Sequence, residues 1–164
     1  MLNLFKNTGL RWLWITLVML VIDQITKQAV VASMELYESI KVIPMFNITY
    51  VHNYGAAFSF LSNQDGWQRW FFTLIALVVS GLILYWLRQC KAEQKLLPIA
   101  FALILSGALG NVIDRLTFGY VIDFLDVYYD KWHWPTFNIA DSAIFVGAAL
   151  LIWDALKNNG VKDD

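Results

Sequence analysis

Residues 137–153 read FNIADSAIFVGAALLIW, and the fold follows from how that run is understood. From Ile139 to Leu156 the chain is almost unbroken hydrocarbon, about 18 residues or about 27 Å as a helix, just enough to cross a bilayer core. Two further blocks have the same length and character: WFFTLIALVVSGLILYWL (70–87) and LLPIAFALILSGALGNVI (96–113). A fourth, 12–34, is less clean, because Asp23, Gln24, Thr26, Lys27 and Gln28 crowd its second half. No A-x-A site follows it, so it reads as a retained spanning segment rather than a cleaved signal peptide.

Composition agrees with a membrane protein. Of the 164 residues, 59% are hydrophobic and only 15% charged, where soluble domains carry roughly 25%. A net charge of −1 and the lack of a basic stripe give no reason to expect nucleic acid. The single cysteine, Cys90, excludes an internal disulfide and a cysteine-based zinc cluster. The expected architecture is therefore a membrane α-helical fold: one integral domain over 1–164, with spanning helices at about 12–34, 70–87, 96–113 and 139–156.

Orientation follows from lysine and arginine. Lys6, Arg11, Arg88, Lys91, Lys95, Lys157 and Lys162 fall on one side of the four segments. The loops on the other side hold only Lys41, Arg69, Arg115 and Lys131, together with most of the acids. Both termini are expected in the cytoplasm, with the long segments 35–69 and 114–138 outside. In the first of these, FNITY alternates apolar and polar residues, GAAFSF follows VHNY, and Pro44 and Gly55 are breakers; short strands forming a small β platform are expected. In the second, Asp123, Asp126 and Asp130 are spaced i, i+3 and i+7, which predicts a short interfacial helix with one acidic face, with Trp132 and Trp134 in the aromatic belt. Gly119 is its candidate pivot, and the segment is expected to open and close over the site.

Asp141 then stands at the outer head of the last spanning segment, a costly place for a carboxylate without a partner or a task. Asn138 has the position of an N-cap and Asp141 that of the third helical residue, where the helix dipole favours negative charge. Most hydrolytic chemistries are excluded. There is no H-E-x-x-H, the only histidines are His52 and His133, and neither G-x-S-x-G nor a glycine-rich phosphate loop occurs. A serine–lysine dyad would need Lys27 with Ser33 or Ser59. Asp23, four residues before Lys27, gives that lysine an ion-pair partner instead.

Carboxylates remain. Two held close together cannot both ionise cheaply, so one keeps a proton while the other activates water, as in aspartic proteases. The partner of Asp141 lies among Asp114, Asp123, Asp126 and Asp130. Asp114 has Arg115 beside it as a possible counter-ion, and spacing does not choose among the other three. A small transporter with a polar track through Asp23, Asn111 and Asp141 is the competing class. It would place polar residues through the full membrane depth, whereas the last three segments are apolar in their inner halves.

Five stretches match a known family: DQITK (23–27), HNYGAAFSF (52–60), GALGNVIDR (107–115), VIDF (121–124) and FNIADSAI (137–144). In their order, and on a frame of four segments, the chain resembles the lipoprotein signal peptidases (signal peptidase II), bacterial inner-membrane aspartyl proteases. The resemblance implies Asp123 and Asp141 as the catalytic pair. It also implies that Asn53, Gly55, Asn111, Arg115 and Asn138 line or support the site, and that Asp23 and Lys27 belong to a functional motif of the first helix. The implied substrate is a prolipoprotein whose cysteine already carries diacylglycerol, cut just before that cysteine at the periplasmic face. No cofactor, no metal and a monomeric protein in the lipid bilayer are expected.

Overall fold

The computed structural model describes residues 7–55 and 66–159. Leu13–Ser33 form helix α1, Trp67–Gln89 form α2, Leu96–Phe118 form α3 and Ile139–Asn159 form α4. All four are long and apolar enough to cross a membrane. Helix α1 falls within its expected segment, whereas the other three run a few residues past their apolar blocks, because polar residues such as Asp114 and Arg115 continue the turn and satisfy the backbone internally.

Helix α3 is the centre of the bundle. In its most apolar window 61% of residues are buried, against 17–22% in the other three helices, whose outward faces are left for lipid. Close approach of α1 and α4 to α3 depends on small residues. A Cβ on Gly107 would collide with the Ala140 carbonyl oxygen, and one on Gly110 would lie 2.6 Å from a carboxylate oxygen of Asp23. Between helices in lipid, where there is no hydrophobic drive to associate, such backbone proximity is a main source of packing energy. At one end of the bundle Leu10, Ile83, Leu87, Cys90, Phe101 and Leu105 form a core.

At the other end stands the β platform expected from the alternation in 46–50. Strands β1 (Ser39–Ile43), β2 (Phe46–Asn53), β3 (Val121–Tyr129) and β4 (Trp132–His133) pair antiparallel in that order. Pro44 and Met45 make the turn between β1 and β2, with Met45 at φ 69°. Val30 and Met34, on the last turns of α1, pack against Tyr50, Ile122 and Phe124 and fix the sheet to the bundle. Of GAAFSF only Gly55 is among the described residues; 56–60, with Ser59, lie outside them.

The interfacial helix is not there: 121–129 is a strand, and this corrects the reading of the three aspartates as one helical face. Val121, Ile122, Phe124, Val127, Tyr128 and Tyr129 are β-branched or aromatic, and β2 supplies a ladder of backbone partners. With period two, Asp123 and Asp126 point to opposite faces, and Asp130 sits beyond the strand in a turn at φ 54°. β3 is paired with β2 along one edge and with β4 and Phe137 along the other, so the segment is built into the sheet. Gly119, at φ 89°, ends α3 as a left-handed cap.

Candidate active site

Lys27 is fully buried, and its ammonium donates to three acceptors. It lies 2.9 Å from Asp23, one turn earlier on α1, 2.8 Å from Asp114 on α3, and 3.1 Å from Asn111 Oδ1. The two carboxylates also accept hydrogen bonds that join other elements to this point. Asp23 accepts from the backbone N–H of Ala140 in the first turn of α4 (2.9 Å), where helix dipoles favour an anion. Asp114 accepts from the N–H of Ile122 in β3 (3.1 Å) and from the Gln24 amide (2.9 Å). One buried cation thus gathers α1, α3, α4 and β3 around a point.

The ion pair Asp23–Lys27 is the one expected from their spacing. Asp114, by contrast, pairs with Lys27 and not with its neighbour Arg115, since consecutive helical residues point about 100° apart. Arg115 instead donates to the backbone oxygen of Asn111 (3.4 Å), and its guanidinium lies 5.5 Å from the centre of the Phe72 ring. Ser33 donates to Ala29 O one turn back, so nothing brings it to Lys27.

Directly above this strut are Asp123 and Asp141, bridged by Asn138. The Asn138 amide donates to Asp123 Oδ1 at 2.7 Å, with Asn111 Oδ1 and Ile122 O at 3.2 Å. Its Oδ1 accepts the N–H of Asp141 (2.9 Å), and Asp141 Oδ2 lies 3.4 Å from the N–H of Asn138, a reciprocal capping box at the start of α4. The other Asp141 oxygen takes the Asn111 amide at 2.7 Å. Asn111 is held in one sense, because its oxygen already faces the Lys27 ammonium and the Asn138 amide, which leaves its NH2 for Asp141. Asn53 plays the matching part for Asp123. It donates to Oδ2 at 2.9 Å, while its own oxygen accepts the N–H of Gly55 at 2.8 Å. Gly55 stands at φ 94° with the Phe72 ring against its Cα, so a side chain there would be strained and would clash.

All nine residues singled out in the sequence therefore fall in one region, with Arg115 touching it through backbone. Asp126 and Asp130 do not. Asp126 is on the opposite sheet face, bound to His133 (2.8 Å), Thr49 (3.0 Å) and Asn47 (3.1 Å). Burial would raise its pKa, but those donors outweigh it and hold the carboxyl below its usual value. Asp123 is the reverse case. Burial, then the charge of Asp141, push its pKa up to about 7, despite hydrogen bonds from Asn53 and Asn138. Such a pair offers a proton donor and a proton acceptor side by side near neutral pH. Gln24 and the amides of Ile122 and Ala140 were not singled out. The signal for Asp114 in the sequence is its spacing of three from Asn111, which puts both on the same helix face.

The family model for "Signal peptidase (SPase) II" matches residues 15–157. A lipoprotein signal peptidase of Alteromonas mediterranea is 64% identical over 164 residues, which are all of this chain and 90% of the relative. One from Pseudoalteromonas atlantica is 58% identical, covering 96% of each chain, and one from Shewanella oneidensis is 51% identical over 98% of this chain and 94% of its own. A solved structure of a bacterial membrane enzyme superposes with a TM-score of 0.82 at 33% identity, over 94% of this chain and 92% of that one.

Proposed function

Since the chain belongs to the signal peptidase II family, we propose that Asp123 and Asp141 are the catalytic pair with which it removes signal peptides from prolipoproteins. The substrate is a prolipoprotein with diacylglycerol on its cysteine, and the bond cut is the one just before that cysteine. The observation that carries the assignment is Asn138, whose amide and backbone reach both carboxylates at once. Asp141, ionised at the helix N-terminus, takes a proton from water as its oxygen attacks the scissile carbonyl carbon. Asp123, protonated, donates to the carbonyl oxygen as the tetrahedral diol forms. On collapse the C–N bond breaks, the cysteine nitrogen leaves with the proton that Asp141 took from water, and Asp123 recovers a proton from a hydroxyl of the diol. Asn53, Asn111 and Asn138 keep the two carboxyls oriented; Lys27 and Asp23 hold the frame.

The protein is proposed to act as a monomer and a single integral membrane domain, a state that a centre assembled within one chain permits. Its setting is the bacterial inner membrane. Arg11, Arg88, Lys91, Lys95 and Lys157 cluster at the bundle end away from the sheet, which supports cytoplasmic termini and a periplasmic centre. Nucleic acid has no part in this reading.

Two measurements test it. The pair needs one proton, and raising pH through about 7 removes it from Asp123, leaving two anions and no donor for the carbonyl. Cleavage of a lipid-modified peptide should therefore fall on the alkaline side, about tenfold per unit beyond the midpoint, which belongs to the pair. A rate that stays flat to about pH 9 would contradict a shared proton. The second concerns metals. Among the described residues no group of three or more His, Cys, Asp or Glu is arranged to hold an ion. Activity should survive exhaustive chelation, and loss that is restored by zinc would overturn the carboxylate mechanism.

A further inference from the structure

Asp123, Leu125 and Val127 share one face of β3, and below that face a groove of about 520 Å³ opens from Asp141 toward the outer side of α4. Its walls are Val127, Trp134, Phe137, Phe145 and Val146. We propose that this groove holds an acyl chain of the diacylglyceryl group on the substrate, an assignment that rests on the catalytic reading of Asp141.

The wall chemistry selects the guest. The one hydroxyl in the groove, that of Ser142, is already donated to Asn138 O at 2.9 Å. Apart from Asp141 and the indole N–H of Trp134, the walls offer a polar group little to compensate its loss of water. An extended peptide would need a free strand edge, and β3 has none. Its outer edge exchanges hydrogen bonds with Phe137 at Leu125 (2.8 and 3.1 Å), and Val127 O accepts from Trp134 N (2.8 Å). A signal-peptide helix, about 10–12 Å across with its side chains, needs more room over a few turns than about 520 Å³ provides. A hydrocarbon chain has no hydrogen bonds to lose.

Location supports the same guest. Phe145 and Val146 are 76% and 48% exposed on the side of α4 that faces lipid, so a chain can slide in from the bilayer without crossing water. Because lipid tails are as apolar as the groove, this transfer yields little binding energy. What the groove supplies is position: a chain seated there sets the glycerol and its cysteine beside Asp141.

The test uses the full-length protein in vesicles and a lipid-modified peptide with a photoreactive group midway along one acyl chain. A phospholipid carrying the same group measures background labelling by bulk lipid. We expect the peptide to label Val127, Phe145 or Val146 well above that background, with suppression by unlabelled substrate. In Val146→Trp, which fills the groove, cleavage of a substrate with chains of about 16 carbons should fall about tenfold. One with chains of about six carbons should change less than about twofold. Labelling that matches the phospholipid pattern, or that centres on α2, overturns the assignment, as does an equal effect of Val146→Trp on both chain lengths. The catalytic reading is judged separately, by whether Asp123→Asn still cuts the short-chain substrate.

Discussion

Asp123→Asn and Asp141→Asn should each lower cleavage about 10³–10⁴-fold while the protein stays folded and inserted. Neither amide can carry the proton that the other carboxyl needs, so the division between donor and acceptor fails whichever is changed. Size and shape are conserved, and the cost to the fold is local. In Asp123→Asn one of the donors from Asn53 and Asn138 loses its acceptor, about 1–3 kcal/mol. In Asp141→Asn the carbonyl can still accept from Asn111. Asp126→Asn and Asp130→Asn are the controls, because one lies on the far face of the sheet and the other in an exposed turn. Both should retain substantial activity. Peptide cleavage and thermal unfolding in the same detergent separate the two effects, and an active Asp123→Asn beside an inactive Asp126→Asn would refute the assignment.

Lys27→Met should be the most destabilising single change, at about 3–5 kcal/mol. Asp23 and Asp114, 1% and 0% exposed, would be left facing each other without the cation that both contact. Methionine fills the space but donates nothing. Adding Asp114→Asn to Lys27→Met removes one of the two stranded charges and should recover part of the loss, a coupling visible in a double-mutant cycle. Equilibrium unfolding of the three proteins in mixed micelles measures it. A loss below about 1 kcal/mol for Lys27→Met would mean that the buried charges are compensated elsewhere.

The helices were legible because bilayer thickness imposes a length and a composition that few other structures share. The capping of α4 by Asn138 and Asp141, and the i, i+4 pair Asp23–Lys27, were legible because both are local geometry. Segment 121–129 was not. Three acids at i, i+3 and i+7 satisfy a helix, and nine residues are too few for periodicity to exclude it; the β-branched and aromatic content carried the true signal. The partner of Asp114 was hidden for a related reason. Arg115 is adjacent in sequence but turned away, whereas Lys27 arrives from another helix. Spacing could not choose between Asp123 and Asp126, since the choice depends on strand parity and on where Asn53 lands, both properties of the assembled sheet.

The Lys27 strut also constrains how the protein is made. Helix α1 leaves the ribosome with Asp23, Gln24 and Lys27 in its middle, and Asp or Lys there costs about 2.5–3.5 kcal/mol on the scale of translocon insertion. The groups that answer them come late. Asp114 follows Gln24 by 90 residues and Ala140 follows Asp23 by 117. At roughly 5–20 residues per second, α1 waits on the order of 5–20 s for its first distant partner. During that interval the Asp23–Lys27 pair is its own internal neutralisation, one turn apart on the same helix. The pair serves the nascent chain before it serves the finished enzyme, as a temporary passport through the insertion machinery. The arrival of α3 then converts it into the buried keystone.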